Sequence, residues 1–384
     1  MSTPTALVVG AGIAGLAMAR ALSLRGTRVT VLERHERAVG ASIRNFGMVW
    51  PIGVRNGVLY ERALRSRAAW LELATAAGLW HDPAGSLHVA HAQDEWDVLG
   101  QYYAANQGLR PLRLLNAVQA KALSPALVTE GLRGALHGGD ELVVDPRQAL
   151  PQLAGYLQAR HQVQFAWATP VTGVETGRVW SGNRRFDADE VYLCNGAEFE
   201  QLFPQVHAAA PLTRCKLQML RLVAQPDGFR MGPALCGGLS LIHYPGFAEV
   251  ADIAPLRERC RHEYAGLLEN GIHVMASQNG AGEIAVGDSH AYAHTHDPFD
   301  QHAINARILA YLARFARFPD MRLEQTWHGI YPRLTNEQSE WVVEVLPGVV
   351  LVNALGGGGL GMTLAFGLAE DIVAGRLRPQ PAPV

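Results

Sequence analysis

Close to its start the chain sets out a strand, a glycine-rich turn, a helix, a second strand and an acid, an order that few folds accommodate. The apolar run Ala6-Leu7-Val8-Val9 leads into Gly10-Ala11-Gly12-Ile13-Ala14-Gly15, and an apolar helical pattern continues to about Leu24. A second apolar strand, Arg28 to Leu32, ends at Glu33-Arg34. Gly10 lets the strand turn tightly, Gly12 lets the backbone approach a phosphate, and Gly15 lets helix and strand pack closely. The helix N-terminus, at Ile13 and Ala14, offers free N–H groups and a partial positive charge. Glu33 stands about twenty residues past the first glycine, where a carboxylate bonds a ribose hydroxyl. The segment reads as the opening unit of a Rossmann-type, dinucleotide-binding domain.

A second glycine-rich turn near the other end narrows the nucleotide. Gly348-Val349-Val350-Leu351-Val352-Asn353 reads as a buried strand. Gly356-Gly357-Gly358-Gly359-Leu360-Gly361-Met362-Thr363 follows, then a helix from about Leu364 to Val373. Adjacent glycines are costly to order unless the backbone must approach something closely. A second helix N-terminus aimed at the ligand suits a flavin, whose pyrimidine edge gains negative charge on reduction. The expected cofactor is therefore FAD, with Gly358, Gly359, Gly361, Met362 and Thr363 against it.

At 384 residues, 48% apolar and 18% charged, the chain is long enough for two domains and a large core. Its formal charge of −2 and the lack of a basic run argue against a nucleic-acid partner. The apolar stretch from Ala6 to Leu24 carries the fingerprint glycines and Arg20, so it reads as nucleotide fold, not as a leader or membrane span. Cys194, Cys215, Cys236 and Cys260 form no C-x-x-C, which fits a reducing cytoplasm. None lies near the C-terminal glycine turn, so non-covalent FAD is expected. No metal site is expected: His290, His294, His296 and Asp297 cluster in sequence, but in a loop-like stretch at a strand end.

The nucleotide-binding signals recur in three separated places. The expected fold class is α/β, a Rossmann-type FAD-binding domain interleaved with a substrate domain built on a mixed or antiparallel sheet. The FAD-binding domain is assigned to 1–80, 145–200 and 325–384, and the substrate domain to 81–144 and 201–324. A helix around Glu61–Ala77 closes the first block, and 81–144 reads as less regular. Asp145 as cap and Pro146 in the first turn open another helix. The strand Val163–Ala168, the turn at Val171–Val174 and the strand Glu190–Cys194 return to the nucleotide sheet. Val171 and the tight turn Asn195-Gly196 are placed beside the cofactor. Alternating strands are then expected at Arg214–Val223, Leu239–Tyr244, His273–Gln278 and Glu283–Asp288, and a helix at about Asp300–Phe318.

Taken together, these features resemble the D-amino-acid oxidase and glycine/sarcosine oxidase superfamily of FAD enzymes over nearly the whole length. The resemblance rests on Gly10, Gly12, Gly15 and Glu33, on Gly40-Ala41-Ser42, Val144-Asp145-Pro146, Asn195-Gly196 and Trp327-His328-Gly329, and on the C-terminal glycine run. It implies that Ser42, Arg44 and Asn45 lie in a loop passing under the flavin. A narrower similarity is to the FAD oxidoreductases of bacterial phosphonate catabolism. It is carried by Gly40-Ala41-Ser42-Ile43-Arg44-Asn45-Phe46-Gly47-Met48-Val49-Trp50-Pro51, by Cys215-Lys216-Leu217-Gln218-Met219 and by Gly287-Asp288-Ser289-His290. It implies a small, phosphonate-bearing amine as substrate: oxidative release of an amine from 2-aminoethylphosphonate or its N-methylated forms, giving phosphonoacetaldehyde.

The chain departs from the amino-acid oxidases at one telling place. The superfamily's Gly-x-Arg-Pro, whose arginine clamps a carboxylate, reads Gly329-Ile330-Tyr331-Pro332 here. Tyr331 has no bidentate fork, but Arg333 shares its side of an extended chain. Lys216, His243, Gln278, Tyr331 and Arg333 are the candidate substrate-binding residues. His290 and Tyr244 are candidates for holding or deprotonating the amine. Where sarcosine-type oxidases keep an oxygen-activating lysine, Ala285 or Val286 stands, which leaves the electron acceptor open. The alternatives are glycine, sarcosine or a D-amino acid as substrate, or a non-catalytic subunit that holds FAD for a partner.

Overall fold

The computed structural model of the chain describes residues 3–383. A seven-stranded sheet is centred on Thr5–Val9, which runs parallel to Arg28–Leu32 on one side and Glu190–Leu193 on the other. Gln164–Ala166 extends one flank; Val349–Asn353, Trp341–Leu346 and Gln380–Pro381 extend the other. Covered on both faces, the central strand is apolar and buried from Ala6 to Val9, as parallel strands are. Ala6 and Val8 pack into a core shared with the helices Ile13–Leu24, Val58–Ala77, Pro146–His161 and Gly361–Val373. Leu7 and Val9 turn the other way, toward a small antiparallel sheet of Gly173–Glu175, Arg178–Ser181 and Arg184–Asp187.

The second large sheet is mixed, as expected. Ala291–Ala293, Leu212–Leu222, Ile284–Gly287, Met275–Gln278, Ala234–Cys236, Ser86–Ala90, Gly134–Gly138 and Leu112–Asn116 follow in that order. Only Ala234–Cys236 and Ser86–Ala90 pair in parallel. The strand Leu323–Leu334 joins this sheet through a long antiparallel ladder with Leu212–Leu222. A domain boundary drawn at 325 therefore cuts this strand, and the chain re-enters the first sheet only at Trp341–Leu346.

Three local expectations are corrected. Leu239–Tyr244 is no strand: Leu239–His243 is a single helical turn, followed from Pro245 by another. Leu239, Ser240 and Leu241 are all buried, so the run does not alternate, and a short apolar run is ambiguous between the two states. The helix expected over 300–318 spans only His302–Leu312. Beyond it the chain extends, with Ala316 bridged to Leu127. Residues 81–144 are well ordered into sheet, with the helices Gln93–Ala105 and Ala117–Leu123. Among the described residues no helix is long and apolar enough to cross a membrane.

Val58–Ala77 is bound to Gly361–Val373 by glycine and by charge. A Cβ at Gly367 would stand 2.4 Å from the Arg62 carbonyl, so the helices meet backbone to backbone. Buried Asp371 accepts hydrogen bonds from Arg62 (2.9 Å), Arg65 (2.6 Å) and Arg376 (2.7 Å). Burial alone would raise the Asp371 carboxyl; the bonds from Arg376 and Arg62 and the charge of Arg65 outweigh it and hold it below the usual range. Asp371→Ala should destabilise the protein by about 2–4 kcal/mol at neutral pH, because the buried Arg62 guanidinium loses one of its two ion-pair partners and keeps only Glu340. Urea denaturation checks this. Since the folded carboxyl titrates low, the difference from the unmutated protein should be full above about pH 4 and shrink as the pH falls further.

Candidate active site

The glycine turns and helix N-termini of the first sheet open on one cavity of about 810 Å3, in the upper range of small-molecule sites (roughly 300–1,000 Å3). Gly10, Gly12, Ile13, Ala14, Glu33, Arg34, Ser42, Arg44, Asn45, Val171, Asn195, Gly196, Gly359, Gly361 and Met362 line it. Gly10 has φ 103°, and a Cβ there would stand 2.5 Å from the Cys194 carbonyl. The helix Ile13–Leu24 carries no side-chain cap on its N-cap residue. Ser42 Oγ reaches over from its loop and accepts from Ile13 N at 2.9 Å. Glu33 accepts from Ala11 N at 2.9 Å and from His35 N at 3.0 Å. Asn195 Oδ1 is buried with no hydrogen-bond partner in the protein. A glycine-lined cradle with an acid, a hydroxyl and an unused amide oxygen fits FAD.

Three residues expected against the cofactor do not line the cavity. Gly15 is buried behind it, where a Cβ would lie 1.9 Å from the Gly10 carbonyl. Gly358 packs on Pro332 and Arg333. Thr363 is buried with its hydroxyl accepting from Trp50 N at 2.9 Å.

The second sheet reaches this cavity through Leu323–Leu334. Tyr331 lies against Gly359, and Arg333 against Gly358, so the two share a side as their spacing implied. Among the described residues, Arg333 has no hydrogen-bond or ion-pair partner. Around it lies a cluster of which His273, Asp288 and His290 are buried and His243, Tyr244 and Tyr331 are more accessible. The rings of His243 and His273 stack with centroids 3.7 Å apart, and His290 lies 4.7 Å from His243 and 5.1 Å from His273. His290 Nδ1 lies 2.9 Å from the Gly271 carbonyl. Burial pushes the imidazole of His290 down to about 4 and those of His243 and His273 well below the usual range; the charge of Arg333 also disfavours protonation of His290 and His243. Burial likewise raises the Asp288 carboxyl and the phenols of Tyr244 and Tyr331. Tyr244 leans on Trp50, ring centroids 6.4 Å apart, and Trp50 is tied to Thr363. The cluster thus meets the C-terminal glycine turn from two sides.

Two expected substrate-binding residues have structural employment instead. All three protons of Lys216 are engaged, by the Asp297 and Phe299 carbonyls at 2.7 Å and by Asp300 at 3.0 Å. It clasps the loop before residue 301 and has no donor left for a ligand. Gln278 accepts from Met231 N and donates to the Phe229 and Gly282 carbonyls, which holds a turn. His243 and Tyr244 are in the cluster, but at the end of a helical turn. His273, Asp288 and Trp50 are members that sequence reasoning did not select. Asp288 was visible beside His290 in Gly287-Asp288-Ser289-His290; His273 carried no signal beyond heading a buried strand.

Glu33→Arg should raise the FAD dissociation constant at least about tenfold, because a cation replaces the acceptor for a ribose hydroxyl and for Ala11 N. Titration of apoprotein with FAD, followed by flavin fluorescence, measures it. Unchanged affinity would remove Glu33 from the site.

Comparison with known proteins accords with this geometry. The structure superposes on glycine oxidase from Geobacillus kaustophilus with TM-score 0.75 at 19% identity, covering 98% of this chain and 96% of that one. It superposes on iminodiacetate oxidase from Chelativorans sp. BNC1 with TM-score 0.71 at 20% identity, covering 99% and 96%. In sequence, the tRNA 5-methylaminomethyl-2-thiouridine biosynthesis bifunctional protein MnmC of Burkholderia lata is 28% identical over 234 residues, 57% of this chain and 35% of the relative. The chain spans about a third of the length of the curated relatives it matches. A family model described as FAD dependent oxidoreductase, DAO, matches residues 5–374, and over that span the chain belongs to the DAO family of FAD-dependent oxidoreductases.

Proposed function

We propose that the protein oxidises a small amine that also carries an anionic group, and that N-methylated 2-aminoethylphosphonate, or 2-aminoethylphosphonate itself, is that amine. The products are phosphonoacetaldehyde and the free amine. Bound FAD, held without a covalent bond, supplies the hydride acceptor. The chain's own part is to hold the neutral amine carbon in line, keep water out and neutralise the anion. Once the carbon has given up its hydride, the iminium adds water and parts into aldehyde and amine.

Arg333 carries this reading. A guanidinium without a partner, set among neutral histidines and tyrosines beside the C-terminal glycine turn, asks for an anion. Tyr331 replaces the fork that a planar carboxylate would use. Arg333 and the Tyr331 hydroxyl are separate donors from one strand, which suits the several oxygens of a phosphonate better than a single planar carboxylate. The narrower sequence similarity points the same way. Glycine oxidase and iminodiacetate oxidase, by their names, also act on small amines with an acidic group.

Anaerobic bleaching of the flavin by a panel of amines tests the reading. The phosphonates should bleach it, and kcat/KM for N-methyl-2-aminoethylphosphonate should exceed that for sarcosine, glycine or D-alanine; preference for a carboxylate would refute the phosphonate. Arg333→Ala should lower kcat/KM for the phosphonate by on the order of 2–4 kcal/mol, about 30- to 1,000-fold, with FAD binding intact. The loss should be smaller for an uncharged amine of similar size. Lys216→Ala should affect both amines alike.

A further inference from the structure

We propose that Asp288 is the proton acceptor for the substrate's ammonium group, with His290 and His273 as the positioning residues that orient it. The proposal rests on the amine reading above and adds a second pole to it: Arg333 meets the anionic end of a zwitterion and Asp288 the cationic end.

Asp288 follows directly on the strand Ile284–Gly287. Its side chain is 7% exposed, and its Oδ1 has no hydrogen-bond partner. The nearest groups are imidazole nitrogens, His273 Nε2 at 3.4 Å from Oδ1 and His290 Nε2 at 3.9 Å from Oδ2. A buried carboxyl oxygen left unpaired costs free energy, and a site that waits for a ligand is one reason to keep it. A carbonyl can only accept, so the His290 Nδ1 beside the Gly271 carbonyl carries that ring's proton. Its Nε2 then turns a lone pair toward Asp288. That lone pair, 3.9 Å away, gives an ionised Asp288 no donor, which leaves the carboxylate open to accept from a ligand.

The step is a simple proton transfer. An N–H bond of the ammonium breaks, its electron pair stays on nitrogen, and an O–H bond forms on Asp288. The nitrogen pair is then free to form C=N when the carbon gives up its hydride, for which FAD held by the two glycine turns would be the acceptor. The groups facing Asp288 come from every neighbouring element: His273 ahead of Met275–Gln278, His243 and Tyr244 at the end of the helical turn, Cys215 from Leu212–Leu222, His290 and Tyr292 from its own side, and Tyr331 and Arg333 from Leu323–Leu334. Arg333 alone among them is a fixed charge. A metal ion is the competing occupant, since nitrogens of His243, His273 and His290 lie within 4.8 Å of one another. Face-to-face stacking of His243 on His273, however, sets their in-plane lone pairs side by side instead of converging them on one point.

The acceptor must be ionised to act. The rate of flavin reduction at low substrate should therefore climb about tenfold per pH unit up to the Asp288 pKa and level off above it. Burial places that pKa above the usual carboxylate range. Anaerobic stopped-flow reduction by N-methyl-2-aminoethylphosphonate, from acid to alkaline pH, is compared for the unmutated protein, Asp288→Asn and Asp288→Glu. Asp288→Asn should keep its FAD, lose the rising limb and reduce at least about a hundredfold more slowly on the plateau. Asp288→Glu should restore a limb at a shifted pH. A limb unchanged in Asp288→Asn overturns the proposal; if that variant fails to retain FAD, an unchanged limb in Asp288→Glu does so. A stoichiometric metal whose removal abolishes reduction also overturns it. If the phosphonate leaves the unmutated flavin oxidised but sarcosine bleaches it, the comparison is read with sarcosine. If no amine bleaches it, the amine reading itself fails.

Discussion

The distance between the helix Ile13–Leu24 and the turn at Gly10 sets the geometry on which the rest depends. A Cβ at Gly15 would lie 1.9 Å from the Gly10 carbonyl, and one at Gly10 would lie 2.5 Å from that of Cys194. Strand, turn and helix can close up only because two side chains are missing, and closing up aims the helix N-terminus into the cavity. The same helix packs along Gly361–Val373, which is itself pulled onto Val58–Ala77 through Gly367 and Asp371. Two helix N-termini thus face one space, and their partial charges add where a ligand's negative charge would sit.

The long ladder of Leu212–Leu222 with Leu323–Leu334 joins that space to the second sheet. Gly329 passes beneath the Arg44 carbonyl, where a Cβ would stand 3.2 Å away, so the strand runs close under the loop that carries Ser42. Four residues further on, Arg333 stands against the glycine turn. The ladder therefore belongs to one sheet by hydrogen bonding and to the other by what its end touches. This is why a division by position along the chain failed at 325.

What could be read from the sequence was what backbone physics makes local. The glycine turns, Glu33, the Asp145–Pro146 helix start and most strands were legible because period and punctuation mark them. The side-chain cluster was not. His243, His273 and Asp288 come from a helical turn, a strand entrance and a strand exit, and nothing in their spacing shows that their rings stack. Leu239–His243 misled for the same reason: a short buried run carries no period, and only its packing decides its shape. Lys216 is one of only two lysines in the chain, yet three local acceptors outcompete any substrate for it. Scarcity says nothing about who the neighbours are.

The charges of the cluster are unusual for a buried site. Its histidines, tyrosines and carboxyl are all pushed toward their neutral forms by burial, and the Arg333 guanidinium beside them has no ion-pair partner among the described residues. Arg333 is half-buried, so only solvent meets its charge. A ligand with a negative end supplies the missing partner. If the ligand also bears an ammonium, a second problem arises, because that charge must be met or lost before the adjacent carbon can be oxidised. Once ionised, Asp288 can do both, pairing with the ammonium and then taking its proton, and the transfer leaves the net charge of ligand and cluster unchanged. A zwitterion is thus the ligand class that leaves this site with every charge answered, and an uncharged amine leaves Arg333 as it was.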